Sequence, residues 1–197
     1  MRLAESEARA KWPGILVAAV LTLCVVLVVA VLLRADRVRE LARQLSQGDV
    51  SQRYKAAKEL EELGPNGGAA VLELATALSD DDAQVRYRSA KALSKMGELA
   101  APAASSLADG LRDTERDVRY YCAKSLYKLG KAASPARDSI VLAMKECDDE
   151  TKVYLVKTLG DIGEEHQPSI DLVKKLCSSQ NDKLRSAAED ALTDILD

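Results

Sequence analysis

Residues 85–97 read VRYRSAKALSKMG, and residues 118–130, which lie 33 positions later, read VRYYCAKSLYKLG. The two stretches agree at eight positions, including the final glycine. The same step leads back to QRYKAAKELEELG at 52–64, and forward to TKVYLVKTLGDIG at 151–163 and LRSAAEDALTDIL at 184–196. Five copies without a gap indicate that most of the chain is a stack of one repeated unit.

Each copy has the pattern of an amphipathic helix with a start and a stop signal. Apolar residues recur at helical spacing, as at Val85, Ala90, Leu93 and Met96. An acid or amide stands three residues before each copy, where it can cap the helix, and a glycine usually ends it. These residues are Asp49, Asp82, Glu115, Asp148 and Asn181, followed by Gly64, Gly97, Gly130 and Gly163. The sequence therefore predicts a first helix of about three and a half turns in every unit.

A second helix is predicted after each glycine. Pro102, Pro135 and Pro168 also recur at steps of 33, and proline suits the first turn of a helix. The apolar stripe of this second helix, stepped back by 33, falls on residues 36–47. We expect that segment to be a lone second helix that caps the stack, with an independent amphipathic helix as the alternative.

Residues 13–33 carry no charge, and a helix of that length spans about 30 Å. Because no small-x-small cleavage site precedes Arg34, we expect an uncleaved, single-pass transmembrane helix rather than a signal peptide. The flanking charges conflict about orientation and lean slightly toward a cytoplasmic repeat domain. The predicted organisation is a tail (1–12), a transmembrane helix (13–33), a capping helix (34–48) and a repeat domain (49–197). Its repeats are 49–81, 82–114, 115–147, 148–180 and a partial 181–197.

Paired helices in a short unit, with V-R-x-x-x-A-x-x-L-x-x-[LMI]-G in the first and P-A in the connection, resemble HEAT repeats. The similarity is closest to the short HEAT-like variety named after phycobilisome lyases. It implies an all-α fold, a right-handed α-solenoid of antiparallel helix pairs whose second helices line a concave face. It also implies a structural ladder of acids and bases between neighbouring units. The positions here are Asp49, Arg53, Asp82, Arg86, Glu115, Arg119, Asp148, Lys152 and Arg185.

Composition and motifs argue against chemistry at a single site. Residues 34–197 carry 25 bases against 29 acids, which disfavours nucleic acid as a partner. The single histidine, His166, lies between a helix stop and a helix start, and no Cys-x-x-Cys occurs. We therefore expect no catalytic residue, metal, cofactor or small-molecule substrate. A Cys147–Cys177 bridge remains an alternative to buried free thiols.

Function is therefore expected on the concave face, which should bind a protein partner. The candidate residues there are Glu73, Thr76, Ser106, Asp109, Asp138, Leu142, Asp171 and Lys175. The predicted function is a membrane-anchored, non-catalytic scaffold or adaptor. The alternatives are a bilin lyase or lyase-like chaperone, which rests on fold resemblance alone, and a structural membrane spacer.

Two further series recur every 33 residues. Lys58, Lys91, Lys124 and Lys157 form the first, and Tyr54, Tyr87 and Tyr120 form the second, with Tyr121 and Tyr154 as a further pair. We interpret the lysines as a solvated outer face, with a stripe for polyanions or lipid headgroups as the alternative. The tyrosines are interpreted as packing between repeats.

Overall fold

The computed structural model describes residues 20–163 and 166–196, and gives for residues 2–19 only their place in the first helix. The described part is all-helical and contains no strand. Its helices are α1 (Arg2–Gln47), α2 (Val50–Leu63), α3 (Val71–Ala77), α4 (Ala83–Met96), α5 (Ala104–Asp109), α6 (Arg116–Leu129), α7 (Arg137–Ala143), α8 (Asp149–Ile162), α9 (Gln167–Leu176) and α10 (Asp182–Leu196). The chain divides into two compact units, Met1–Arg39 and Glu40–Asp197.

The first unit consists of helix α1 as far as Arg39. In the part of the chain that the structure describes, no helix combines the length and the apolar character that crossing a membrane requires. The described uncharged stretch, residues 20–33, has fourteen residues, whereas a span needs about 20. The prediction of a single-pass membrane location is therefore wrong. The predicted tail (1–12) and residues 13–19 of the predicted span lie outside the fully described residues.

The first helices of the repeated unit are observed at α2, α4, α6, α8 and α10, which begin at steps of 33 residues. Their start signals act as the sequence predicts at three acids. The Asp49 carboxylate accepts a hydrogen bond from the backbone N–H of Gln52, and Asp148 accepts one from that of Thr151. Asp82 accepts two such bonds, whereas Glu115 caps nothing with its side chain. Most first helices thus begin on a local side-chain cap.

The glycine stops require a backbone that other residues rarely adopt. Gly64, Gly97, Gly130 and Gly163 have φ values of +53°, +61°, +53° and +61°. Gly163 is left-handed helical, whereas the other three have ψ near −130°, a region that is open almost only to glycine. A Cβ at Gly97 would meet nothing within 4 Å, so the dihedral angle alone demands glycine there.

The second elements are shorter and tighter than predicted. A 3₁₀ turn follows each of the first three stops, at Gly64–Ala70, Gly97–Ala103 and Gly130–Ala136. Pro102 and Pro135 lie inside these turns, not in the first turn of α5 and α7. Only Pro168 occupies the first turn of its α-helix, α9. Proline lacks the N–H that an α-helix needs after its first turn, and the 3₁₀ turns place it ahead of the α-helical segments.

The helices of the second unit form two layers. The first helices pack side by side in chain order, and so do α3, α5, α7 and α9. Between the layers, one buried leucine from each of the first four first helices recurs every 33 residues, and each second helix adds a buried aliphatic residue at the same step. These residues are Leu60, Leu93, Leu126 and Leu159, with Leu74, Leu107, Ile140 and Val173. Each contributes about 2 kcal/mol of hydrophobic stabilisation, so the core is one continuous repeat solenoid.

The described cysteines are free thiols, so the alternative of a Cys147–Cys177 bridge is wrong. The Cys147 Sγ lies 4.0 Å from the carbonyl oxygen of Leu111, and the Cys177 Sγ lies 3.4 Å from that of Val173. Burial raises the pKa of both the Cys122 and the Cys147 thiol. The two buried thiols therefore act as small apolar residues of the core.

Candidate protein-binding surface

The predicted ladder exists, but its acids are different residues. The Arg53 guanidinium donates to both carboxylate oxygens of Asp80, at 2.6 and 2.9 Å, and Arg86 does the same to Asp113, at 2.7 and 3.1 Å. Both acids end the second half of the same unit, so each pair closes one unit. Asp49 and Asp82 do not pair with these arginines, because their carboxylates already cap their own helices.

Backbone hydrogen bonds join these pairs from one unit to the next. The second guanidinium edge of Arg53 donates to the carbonyl oxygen of Gly48, and that of Arg86 donates to those of Asp80 and Asp81. Arg119 likewise donates to the carbonyl oxygen of Asp113. Burial acts to raise the pKa of Asp80, but the hydrogen bonds from Arg53 and the Asp82 N–H lower it overall. The ladder therefore binds the turns between units together.

The ladder changes at the last units. Lys152 lies 3.6 Å from Asp149 of its own helix, and Arg185 pairs with Asp182 and donates to the carbonyl oxygen of Ser179. An ion pair between units is made instead by Arg116, which reaches Asp148 at 3.2 Å and Glu150 at 2.8 Å. Glu115 has no ladder role in the described contacts, since Asp113 takes the arginine of its unit.

The predicted binding residues all lie on the second-helix layer or at its edge. We call this set the second-helix surface: Glu73, Thr76, Ser106, Asp109, Asp138, Leu142, Asp171 and Lys175. Ser106 and Glu73 are half-buried, and the other six are exposed. Four carboxylates therefore stand against one ammonium group. Because α3, α5, α7 and α9 pack in sequence, these residues form one continuous surface.

A cavity of about 370 Å³ opens at one end of this surface, between the C-terminal end of α1 and α3. Glu73 and Thr76 line it together with Leu45, Asp80 and Asp81. The Glu73 Oε2 is buried without a hydrogen-bond partner among the described residues. A buried carboxylate oxygen without a partner is costly, so this cavity is suited to a cationic group that would pair with it.

Asp138 contacts the single histidine of the chain. Its Oδ1 lies 3.3 Å from the His166 Nε2, and the His166 Nδ1 lies 2.9 Å from the Ser169 hydroxyl. His166 is therefore a half-buried bridge between α7 and α9, which differs from the solvated loop histidine that its sequence position indicates. Among the described residues, no group of three His, Cys, Asp or Glu side chains is placed to hold a metal.

The sequence analysis missed Asp80, Asp113 and a buried acid on the other layer, Glu61. The Glu61 side chain is 6% exposed and accepts from Arg88 at 2.8 Å, Lys95 at 3.0 Å and Lys91 at 3.2 Å. The signal was a repeated separation of 27 residues, which links Arg53 to Asp80, Arg86 to Asp113 and Glu61 to Arg88.

Comparison with known proteins agrees with this architecture. The family model described as HEAT repeats matches residues 38–127. No curated protein matches the chain. An engineered protein is similar in structure with a TM-score of 0.66 at 19% identity, over 80% of this chain and 78% of that one. A designed armadillo repeat protein in complex with the peptide (KR)4 has a TM-score of 0.65 at 14% identity, over 79% and 80%.

A natural protein also shares the fold. The complex of CpcE and CpcF of phycocyanin lyase from Nostoc sp. matches with a TM-score of 0.62 at 24% identity, over 79% of this chain and 63% of that one. At these identities the similarity concerns the fold. Together with the repeat pattern and the two helix layers, it shows that the chain is a HEAT/armadillo-like repeat scaffold.

Proposed function

We propose that this chain is a non-catalytic interaction scaffold whose second-helix surface binds an extended, basic segment of a partner protein. The observation that carries the proposal is the buried, unpartnered Glu73 carboxylate oxygen in an open cavity beside Asp80 and Asp81. As part of the same proposal, the solenoid is right-handed and this surface is its concave one. The scaffold is proposed without the membrane anchor, and the membrane spacer is withdrawn with it.

The charge of the second-helix surface supports a basic partner. Each of its four helices carries one or more exposed or half-buried polar residues, and carboxylates outnumber ammonium groups by four to one. Lysine and arginine side chains would pair with these carboxylates and would satisfy Glu73. The (KR)4 complex of the designed armadillo repeat protein shows that a surface of this fold binds such a peptide in that protein.

We expect reversal of Asp109 and Asp171 to lysine to weaken binding of a peptide of alternating lysine and arginine by about tenfold or more, because attraction becomes repulsion at two exposed sites. Fluorescence anisotropy of the labelled peptide measures the affinity, and circular dichroism verifies that helix content is unchanged. Reversal of Glu62 and Asp190, which are exposed on the first-helix layer, is the matched control. Equal affinity of the Asp109/Asp171 variant and the wild type would exclude this surface as the binding site.

A second candidate function, a bilin lyase or lyase-like chaperone, is favoured by the similarity to the CpcE–CpcF complex. It predicts a shift of the bilin absorbance spectrum when the purified chain is added to free bilin. An unchanged spectrum at saturating protein would count against this candidate and would leave the peptide-binding proposal unaffected.

A further inference from the structure

All six tyrosines of the chain lie on the first-helix layer, and all are half-buried. The rings form a continuous edge-to-face chain from α4 to α8. Tyr87 and Tyr121 are 5.5 Å apart between ring centroids, Tyr121 and Tyr120 are 5.2 Å apart, and Tyr120 and Tyr154 are 5.4 Å apart. Tyr54 and Tyr127 flank this chain. Because tyrosine is enriched where proteins bind one another, an unbroken row of tyrosines is unusual on an ordinary solvated face.

Cations lie over these rings along the whole row. The Arg88 guanidinium is 5.4 Å from the ring centroid of Tyr54 and 5.3 Å from that of Tyr87. Lys91 and Lys124 each contact two rings, at 5.5 to 5.9 Å, and Lys157 contacts Tyr127 at 5.9 Å. We call the six tyrosines with Arg88, Lys91, Lys124 and Lys157 the tyrosine–lysine stripe.

The stripe is basic although the chain as a whole has a net charge of −3. Helix α4 contains two arginines, two lysines and no acid. The carboxylate that faces the stripe from α2 is Glu61, which is buried and shared by Arg88, Lys91 and Lys95. Among the described contacts, Lys124 and Lys157 have ring partners but no carboxylate. Positive charge thus remains uncompensated along the stripe.

We propose that the tyrosine–lysine stripe is a docking surface for an extended acidic segment of a protein. The cations provide charge complementarity, and the tyrosines provide rigid contact area around them. This site lies on the layer opposite the second-helix surface and does not depend on the function proposed for that surface.

The register of the stripe also specifies the spacing of the acidic residues. Lys91, Lys124 and Lys157 occupy equivalent positions on α4, α6 and α8, which pack side by side. Adjacent helix axes lie about 10 Å apart, and an extended chain advances about 3.3 Å per residue. An extended segment that crosses the helices therefore places every third side chain near a lysine. The matching sequence has carboxylates at positions i, i+3 and i+6.

The test compares two labelled nine-residue peptides by fluorescence anisotropy with the full chain. One has glutamates at the third, sixth and ninth positions, and the other has the same composition with three adjacent glutamates. We expect the spaced peptide to bind about fivefold or more tightly, because only its carboxylates reach all three lysines. Lys124→Gln combined with Lys157→Gln should weaken its binding about tenfold, because each lost pair is worth up to about tenfold at most.

Lys145→Gln combined with Lys174→Gln removes the same charge from exposed positions outside the stripe and should leave the affinity unchanged. The proposal is overturned if the Lys124/Lys157 variant, folded by circular dichroism, binds like the wild type, or if both peptides bind equally. Tighter binding of a single-stranded oligonucleotide of equal charge would assign the stripe to nucleic acid instead. Self-association that the same two substitutions abolish would assign it to a second copy of the chain.

Discussion

Replacing Glu61 with glutamine is expected to lower the free energy of unfolding by about 3 kcal/mol at neutral pH. The Glu61 carboxylate is 6% exposed and is shared by Arg88, Lys91 and Lys95, so it joins α2 to α4 across a joint between units. The amide retains the shape of the side chain but leaves two largely buried cations, Arg88 and Lys91, without a counter-charge. Urea unfolding, monitored by circular dichroism, measures the change.

The neighbouring substitution Glu62→Gln is the matched control, because Glu62 is exposed on the same helix. It should change the free energy of unfolding by less than about 0.5 kcal/mol. If the two variants unfold at the same urea concentration, Glu61 does not hold the joint.

The effect of Glu61→Gln should also depend on pH. Burial acts to raise the pKa of Glu61, but hydrogen bonds from Arg88, Lys95 and Lys91 lower it overall below its ordinary value of 4.5. A carboxylate whose pKa is lower in the folded state contributes stability above the pKa of the unfolded state and loses it as the pH falls. The difference between wild type and variant should therefore be full at pH 7 and shrink below about pH 4.5.

Replacing Gly160 with valine is expected to destabilise the protein by about 3 kcal/mol through overpacking. Gly160 is buried in α8, and a Cβ there would lie 2.9 Å from the Cα and 3.0 Å from the Cβ of Ala191 in α10. The obstacle is backbone rather than a flexible side chain, so α10 must move away from α8. Since α10 ends the described stack, its displacement should expose the last core residues, among them Leu184 and Ile195.

Thermal unfolding of Gly160→Val measures this effect, with Lys157→Val as the control for valine in the same helix. Lys157 is exposed, so valine there costs only its lower helix propensity, less than about 1 kcal/mol. An unchanged melting temperature for Gly160→Val would show that α8 and α10 do not pack closely at this position.

The first helices could be predicted from sequence because their signals are local. A capping acid such as Asp82, apolar residues at helical spacing and a glycine such as Gly97 all act within one helix. The family resemblance added the pairing of helices, which the two observed layers confirm. The 3₁₀ turns were missed because alanine- and proline-rich segments such as 97–103 suit both helix types.

The binding surfaces were less predictable because they depend on which side chains meet across units. Asp80 and Asp82 differ little in sequence, yet Asp82 caps α4 whereas Asp80 turns toward Arg53. Glu61 stands in a run of acids that is typical of a solvated helix, and only the position of Arg88 on the next helix explains its burial. The tyrosine register was visible, but the cations over the rings were not.

Site-specific photo-cross-linking tests the central claim, that the second-helix surface binds a basic segment of a protein. A benzophenone amino acid is introduced at Thr76 or Ser106 on that surface, or at Lys58 or Lys128 on the first-helix layer, and is irradiated with the lysine–arginine peptide. Cross-links from Thr76 and Ser106, with little from Lys58 and Lys128, are the predicted result. Retained binding with cross-links only from Lys58 and Lys128 would place the peptide on the other layer and would contradict the account.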